Sequence, residues 1–174
     1  MSRRGDWMQT FTGREFYPLD PRMEEIEIRD IAHALSLSCR YGGHSLCFYS
    51  VAEHCVHIAE AAPDDMKLVA LLHDASEAYL SDVIRPIKPF LENYDSIEEG
   101  LMAVIAGKFG FQWPMPAEIK RLDNAILADE RDQVMAKPPR DWHLPEPPLG
   151  VHLPCWSAEE AEIEFLHAFW KYNR

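Results

Sequence analysis

Apolar residues recur along most of this chain at the three- and four-residue spacing of amphipathic helices, as Ile28, Ile31 and Leu35 do in its first third. Glycines and prolines, which favour turns and loops, interrupt this pattern. The pattern and its interruptions predict helices over residues 26–37, 50–62, 63–80, 96–110, 116–135 and 157–174. We therefore expect an all-α fold, a helical bundle of about six or seven helices.

Several predicted helices begin at a recognisable cap. Ser50 with Glu53, and Ser157 with Glu160, match the capping box. In this motif the serine oxygen accepts from the amide three residues on, and the glutamate reaches back to the amide of the serine. Pro63 suits the first position of the third helix, because a proline there sacrifices no helical hydrogen bond. These local signals predict helix starts that periodicity alone leaves open.

Two segments depart from the helical pattern. Residues 7–21 place short aromatic and threonine-containing arms around Gly13, which predicts a small N-terminal β-hairpin. Residues 137–156 are rich in proline and predict a loop. We expect a single domain over residues 1–174, with the core motifs at about 26–136. The hairpin and the loop either line a pocket or an oligomer interface, or are solvent-facing elaborations.

Composition limits the class of protein. The net charge of −12 argues against a nucleic-acid groove, which needs a concentrated basic surface, but leaves room for a small anionic ligand. No uncharged apolar run is long enough to span a membrane, and no apolar stretch follows the arginines near the N-terminus as in a secretory signal. The four cysteines form no CxxC pair, so we expect reduced thiols in a cytoplasmic protein.

The stretch "ALLHDASEAYLSD" places ionisable residues in an apolar helical pattern. Charged groups on a buried face are unfavourable unless they are paired, hydrogen-bonded or bound to metal. On a helix, His73 lies four residues before Glu77, and Asp74 lies three before it, so the three side chains can converge. Two interpretations remain open at this point. The cluster is either a solvated or salt-bridged group at the surface end of the helix, or part of a metal site.

A metal site needs ligands from more than one element. His54 lies in the preceding helix, which a helical hairpin would pack antiparallel to the third helix. Asp123 is a carboxylate embedded in an apolar helical pattern and fits as a fourth ligand beside His73 and Asp74. Two histidines and two aspartates give a mixed nitrogen and oxygen set, suited to Zn, Mn, Fe or Co.

The segments "VAEHC", "LLHDASEAYLSDVIRPIK" and "KRLDNAILADE", with "CRYGGH" upstream, resemble the H…HD…D pattern of the HD-domain metal-dependent phosphohydrolases. They are most similar to the compact 5'-deoxynucleotidase branch of that family. The matching segments span roughly residues 39 to 130. The dipeptide HD by itself is weak evidence for this resemblance, but "HDASEAYLSD" followed by "RPIK" is a more specific match.

The resemblance implies a set of metal ligands and a catalytic carboxylate. His54, His73, Asp74 and Asp123 would bind one divalent ion, of Co, Mn, Zn, Fe or Mg. Glu77 matches the carboxylate that orients or deprotonates the attacking water. The chemistry is coherent, because a bound cation lowers the pKa of its water and polarises a phosphoryl oxygen.

The resemblance also implies substrate contacts. Arg40 matches a phosphate-binding arginine, and Lys88 matches a basic residue that can hold phosphate oxygens. Asp82 matches an acidic residue near the sugar and the scissile phosphate. Tyr41 takes the position of a base-stacking aromatic; the better-known branch has a larger aromatic there, which leaves the base preference open. His44 follows two glycines near the expected pocket and is a further candidate for substrate contact.

These residues favour an enzyme that removes phosphate from (deoxy)nucleoside 5'-monophosphates. A triphosphohydrolase that releases triphosphate from dNTPs would use the same metal site, and hydrolysis of alarmones or cyclic nucleotides is a third option. A non-catalytic metal- or nucleotide-binding module is an alternative of another class, although such a module has no need of Glu77. The family resemblance also implies a homodimer or a higher homo-oligomer.

Overall fold

The computed structural model describes residues 3–174. Among these residues the chain forms seven α-helices and one two-stranded antiparallel sheet. The predicted all-α fold with a small N-terminal hairpin is therefore confirmed. The elements are β1 (Met8–Gln9), β2 (Glu15–Phe16), α1 (Ile28–Leu37), α2 (Val51–Ala61), α3 (Lys67–Leu71), α4 (Glu77–Leu80), α5 (Tyr94–Phe109), α6 (Ala117–Gln133) and α7 (Ala158–Tyr172).

Helix α2 is the centre of the bundle. It packs against α1, α3, α6 and α7, and nine of its eleven residues are buried. Its start is set by Ser50, whose side chain accepts from the Glu53 amide at 3.1 Å. Because the surrounding helices cover α2 on all sides, a polar side chain that it carries must find its partners inside the protein.

The second half of the capping box predicted for α2 is wrong. Glu53 does not reach back to Ser50; it is buried, and its carboxylate accepts from the amides of Cys155 at 2.9 Å and Trp156 at 2.7 Å. The capping box of α7 forms as predicted, with Ser157 accepting from the Glu160 amide. The difference arises because Glu53 lies under the segment that enters α7, where two amides need an acceptor.

The predicted helix over residues 63–80 is interrupted. Pro63 is extended rather than helical, and a short 3-10 turn at Asp64–Met66 precedes α3. After Leu71 the backbone forms successive tight turns, in which the Ala75 amide donates to Leu72 and the Glu77 amide donates to Asp74. Helical structure resumes with α4 at Glu77. The break places the adjacent residues at positions 73 and 74 in a turn instead of on a regular helix.

The hairpin covers α1 and α4. Phe16 of β2 is fully buried, and its ring stacks on Tyr79 of α4 with a centroid separation of 4.1 Å. The tip is held by Asp30 of α1, which accepts from the Thr12 amide at 2.6 Å and from its hydroxyl at 3.0 Å. Gly13 has a φ of +82°, as the turn requires. The hairpin is therefore an integral part of the core.

The remaining helices begin and end close to their predicted positions. Helix α5 starts after Asn93, which has a φ of +65°, and ends at Gly110, which has a φ of +74°. Helix α5 thus begins two residues before its predicted start at residue 96. Helix α6 starts directly after Pro116. Across residues 3–174, no helix combines the length and the apolar character that crossing a bilayer requires.

The expectation of reduced thiols is wrong for two of the four cysteines. Cys47 and Cys155 form a disulfide that joins positions 108 residues apart, whereas Cys39 and Cys55 are free. The pairing has no sequence signature because it follows from packing of the segment before α7 against the segment before α2. It closes a long loop across the bundle.

We expect replacement of Cys47 and Cys155 by serine to lower the free energy of unfolding. Cross-links over long loops typically contribute about 2–4 kcal/mol, by restricting the unfolded chain. Urea unfolding of the non-reduced protein measures this loss, and Cys39→Ser is the matched control because it removes a free thiol. Equal stability of the double variant and the non-reduced parent would contradict a stabilising bridge.

Candidate metal centre

Three parts of the fold bring ionisable side chains to one point. Helix α2 carries His54, the turn between α3 and α4 carries His73, and α6 carries Asp123. All three are buried, and each offers one ligand atom within 4.8 Å of those of the other two. The buried trio can therefore hold a metal ion. Three of the four ligands expected from the sequence meet at this point.

Asp74, the fourth expected ligand, borders the trio. Its Oδ2 lies 3.2 Å from His73 Nε2 and 3.7 Å from His54 Nε2. Asp123 Oδ1 lies 3.5 Å from His54 Nε2, and Asp123 Oδ2 accepts from Lys120 at 2.7 Å. The four side chains form a mixed nitrogen and oxygen set, the type suited to Zn, Mn, Fe or Co.

In both histidines Nδ1 is hydrogen-bonded, whereas Nε2 has no hydrogen-bond partner among the described residues. His54 Nδ1 donates to Glu130 at 2.6 Å, and His73 Nδ1 donates to the Ala70 carbonyl at 2.8 Å. Because these partners are acceptors, each Nδ1 carries a proton, and the neutral form of each ring therefore has its lone pair on Nε2. Both Nε2 atoms are buried without a hydrogen-bond partner among the described residues. Such an arrangement fits a divalent ion, since metal-binding imidazoles are oriented through their other nitrogen.

The electrostatics of the cluster favour anionic oxygens beside imidazoles. Burial opposes the charged form of His73, but Asp74 outweighs it and raises the pKa of the ring well above its usual value. Burial likewise opposes ionisation of both aspartates. The adjacent imidazoles nevertheless hold the pKa of Asp74 at about 2 and that of Asp123 well below its usual range. A divalent cation can replace the ring proton as the partner of these carboxylates.

Glu77 and Asp82 lie on the acidic side of the cluster. Burial, reinforced by Asp74 and Asp82, raises the pKa of Glu77 well above its usual value. Its Oε2 is buried and has no hydrogen-bond partner among residues 3–174. Burial also raises the pKa of Asp82, which follows Ser81 at the end of α4; Ser81 has a φ of +68°. A free, buried carboxylate oxygen at this position can accept a proton from water.

Arg40 and Tyr41 reach the cluster from a short 3-10 turn at Arg40–Gly43. Arg40 is buried; its Nη2 donates to Glu130 at 3.1 Å, and its Nη1 lies 3.9 Å from Asp74 Oδ2. Tyr41 has a φ of +57°, its hydroxyl donates to Glu130, and its ring centroid lies 6.0 Å from that of Trp142 in the proline-rich loop. The arginine and an aromatic pair therefore flank the ionisable cluster.

The other two residues expected to contact substrate are Lys88 and His44. Lys88 donates to Glu98 at 2.8 Å, and the nearby Glu77 and Asp74 also help to raise its pKa, against the effect of burial. His44 is exposed at the end of the turn, where its amide donates to the Tyr41 carbonyl at 3.2 Å. Contact of either side chain with a substrate stays a prediction.

Two further buried side chains near the cluster, Cys55 and His57, make packing contacts. Cys55 Sγ lies 3.9 Å from His73 Nδ1, and burial raises the pKa of the thiol to about 11, which disfavours the metal-binding thiolate. His57 stacks on Trp156 with a centroid separation of 5.2 Å, and its Nε2 lies 3.6 Å from Glu53. The histidine therefore contributes to the contact between α2 and the segment before α7.

Sequence reasoning missed Glu130. This residue is fully buried in α6 and receives hydrogen bonds from both Arg40 and His54. A signal was available: Glu130 lies seven residues after Asp123, two helical turns along the same face, in the apolar pattern "AILADE". A charged residue at a core position of a helix points to an internal partner.

Comparison with known proteins gives relatives but no activity. No family model matches the chain. The chain is 41% identical to the uncharacterized protein YfdR of Escherichia coli over 125 residues, which cover 72% of this chain and 70% of that protein. It is also 38% identical over 125 residues to an uncharacterized protein of Rhodobacter capsulatus, of which it spans 64% of the length.

Proposed function

Since this chain belongs to one protein family with YfdR, whose name assigns no activity, we propose a function from the site: a metal-dependent phosphohydrolase of the HD-domain type that acts on nucleotides. Its reaction is removal of phosphate from (deoxy)nucleoside 5'-monophosphates. The observation that carries the proposal is the pair of buried Nε2 atoms of His54 and His73, which lie beside Asp123 and have no hydrogen-bond partner among residues 3–174.

The residues that would hold the ion are His54, His73, Asp74 and Asp123. Asp74 supports this set because its Oδ2 lies within 4 Å of both imidazole Nε2 atoms. An ion bound there would lower the pKa of a water molecule and polarise a phosphoryl oxygen. The two aspartates supply the negative charge that the ion needs, and the interior excludes competing water.

Glu77 is the proposed general base. Its free Oε2 takes the proton of the attacking water, provided that the water fits between this oxygen and the phosphorus. The raised pKa of Glu77 makes its ionised form a better proton acceptor than an exposed glutamate, and the nearby Arg40 acts against the rise. Asp82 lies beside this base and contacts the sugar in the proposed complex.

Arg40 is the proposed phosphate-binding group. Its guanidinium bridges the space between Glu130 and Asp74, and its Nε has no partner among the described residues. A guanidinium in this position can neutralise the non-bridging phosphate oxygens with paired hydrogen bonds. Tyr41 and Trp142 would offer aromatic faces to the base, while Lys88 and His44 complete the proposed substrate contacts.

Product analysis tests this function. The protein is incubated with Co, Mn, Zn or Mg and with a panel of dNMPs, NMPs and dNTPs, and Asp74→Ala serves as the control. We expect orthophosphate from monophosphates with the parent protein and none with the variant. Nucleoside plus intact triphosphate from a dNTP would make the enzyme a triphosphohydrolase instead. No turnover with any metal would overturn the proposal in favour of a binding module.

A further inference from the structure

Glu130 lies at the junction of the metal cluster and the arginine. It is fully buried in α6, where a carboxylate is strongly unfavourable without partners. It has four of them. Its two oxygens accept hydrogen bonds from Arg40 Nη2 at 3.1 Å, Tyr49 Oη at 3.0 Å, His54 Nδ1 at 2.6 Å and the Tyr41 hydroxyl.

The two oxygens of Glu130 face different parts of the site. Oε1 accepts from His54 and Tyr49, and Oε2 accepts from Arg40 and Tyr41. One oxygen therefore faces a metal-ligand histidine, and the other faces the phosphate-binding arginine. No other carboxylate among residues 3–174 hydrogen-bonds to either His54 Nδ1 or Arg40.

Glu130 is held in its anionic form. The guanidinium of Arg40 and the hydroxyls of Tyr41 and Tyr49 all donate to its two oxygens, which stabilises the carboxylate in the interior. An ionised carboxylate only accepts hydrogen bonds. The Nδ1 atom of His54 must therefore carry the proton, which leaves Nε2 as the lone pair that faces His73 and Asp123.

We propose that Glu130 is a positioning residue. Its carboxylate fixes the Nδ1–H tautomer of His54 through one oxygen and orients Arg40 through the other. The shared carboxylate thereby fixes the position of His54, the proposed metal ligand, relative to Arg40, the proposed phosphate-binding group. This inference rests on the proposed function, in which His54 binds the ion and Arg40 the phosphate. The same internal partners would stabilise the fold, so the test uses readouts that a purely structural role would not move.

The substitution Glu130→Gln is expected to change the tautomer of His54 in a defined direction. Arg40 has only donors, so the amide oxygen of the glutamine is expected to face Arg40 and Tyr41. The amide nitrogen, a donor, then faces His54 and requires its Nδ1 to accept. The preferred tautomer of His54 is inverted, and Nε2 carries the proton where the ion needs a lone pair. Tyr49→Phe is the matched control, because it removes another bond to the same Oε1 and leaves the His54 bond in place.

Two measurements follow. Nitrogen-15 NMR of the histidine rings in the metal-free protein reports the tautomer of His54: we expect Nδ1–H in the parent and in Tyr49→Phe, and Nε2–H in Glu130→Gln. Titration calorimetry with Zn or Mn reports affinity. Loss of an outer partner of a metal ligand typically weakens binding about 10- to 100-fold, and we expect this for Glu130→Gln alone.

The outcomes separate the inference from the proposed function. A parent protein that binds no metal would overturn the proposed function, while the tautomer of His54 still tests Glu130. A parent that binds metal, together with a Glu130→Gln variant of equal affinity and unchanged tautomer, would overturn the inference alone. If Glu130→Gln does not fold, the Nε2–H tautomer in the metal-free parent would be sufficient to refute the role.

Discussion

Glu77→Gln is expected to lower kcat by about 10²- to 10⁴-fold, the usual contribution of a general base. The amide keeps the shape of the side chain but cannot take a proton from the attacking water. Metal affinity should be unchanged, because Glu77 is not among the residues proposed to bind the ion. Steady-state kinetics and calorimetry on the same preparation measure the two quantities.

The control for this prediction is Glu92→Gln, which changes an exposed glutamate between α4 and α5. It should retain parental turnover and metal binding. Turnover by Glu77→Gln within a few-fold of the parent would show that the base lies elsewhere. Loss of metal together with turnover would instead make Glu77 a ligand and would contradict its role as the base.

Asp123→Asn is expected to abolish both metal binding and turnover. The amide offers the ion only one neutral oxygen, so the proposed site loses one of its two anionic ligands. We expect affinity for Zn or Mn to fall by more than the roughly 100-fold that loss of an outer partner causes. Calorimetry measures the affinity, and orthophosphate release measures the turnover.

Asp129→Asn provides the matched control for this prediction. Asp129 is also buried in α6, but its carboxylate accepts from the amides of Leu149 and Gly150 in the proline-rich loop. Its replacement should lower the free energy of unfolding and leave metal affinity in place. If both variants lost metal equally, the effect would come from general disturbance of α6, and the role of Asp123 as a ligand would be contradicted.

The helices were predictable where local signals agree with periodicity. The Ser50 cap of α2 and the start of α6 after Pro116 follow from the sequence, because capping chemistry acts within a few residues. The break around His73 was not predictable in this way. The residues from Leu72 to Ser76 fit a helical pattern, and the turn results from packing of α3 and α4 against different helices.

The candidate site was predictable only for residues that carry a familiar motif. His54, His73 and Asp123 were expected from their spacing and from the resemblance to the H…HD…D pattern, and the structure brings them together. The partners of Glu130 lie up to 90 positions away in the chain, so its role depends on tertiary contacts. The disulfide between Cys47 and Cys155 was missed for the same reason.

Every step of the proposed reaction requires that the histidine and aspartate cluster binds one divalent ion. The most direct test is the metal content of the purified protein by mass spectrometry, after loading with Zn, Mn or Co and extensive dialysis, with Asp123→Asn in parallel. We expect one ion per chain in the parent and almost none in the variant. A parent chain that retains none of these metals would contradict this expectation.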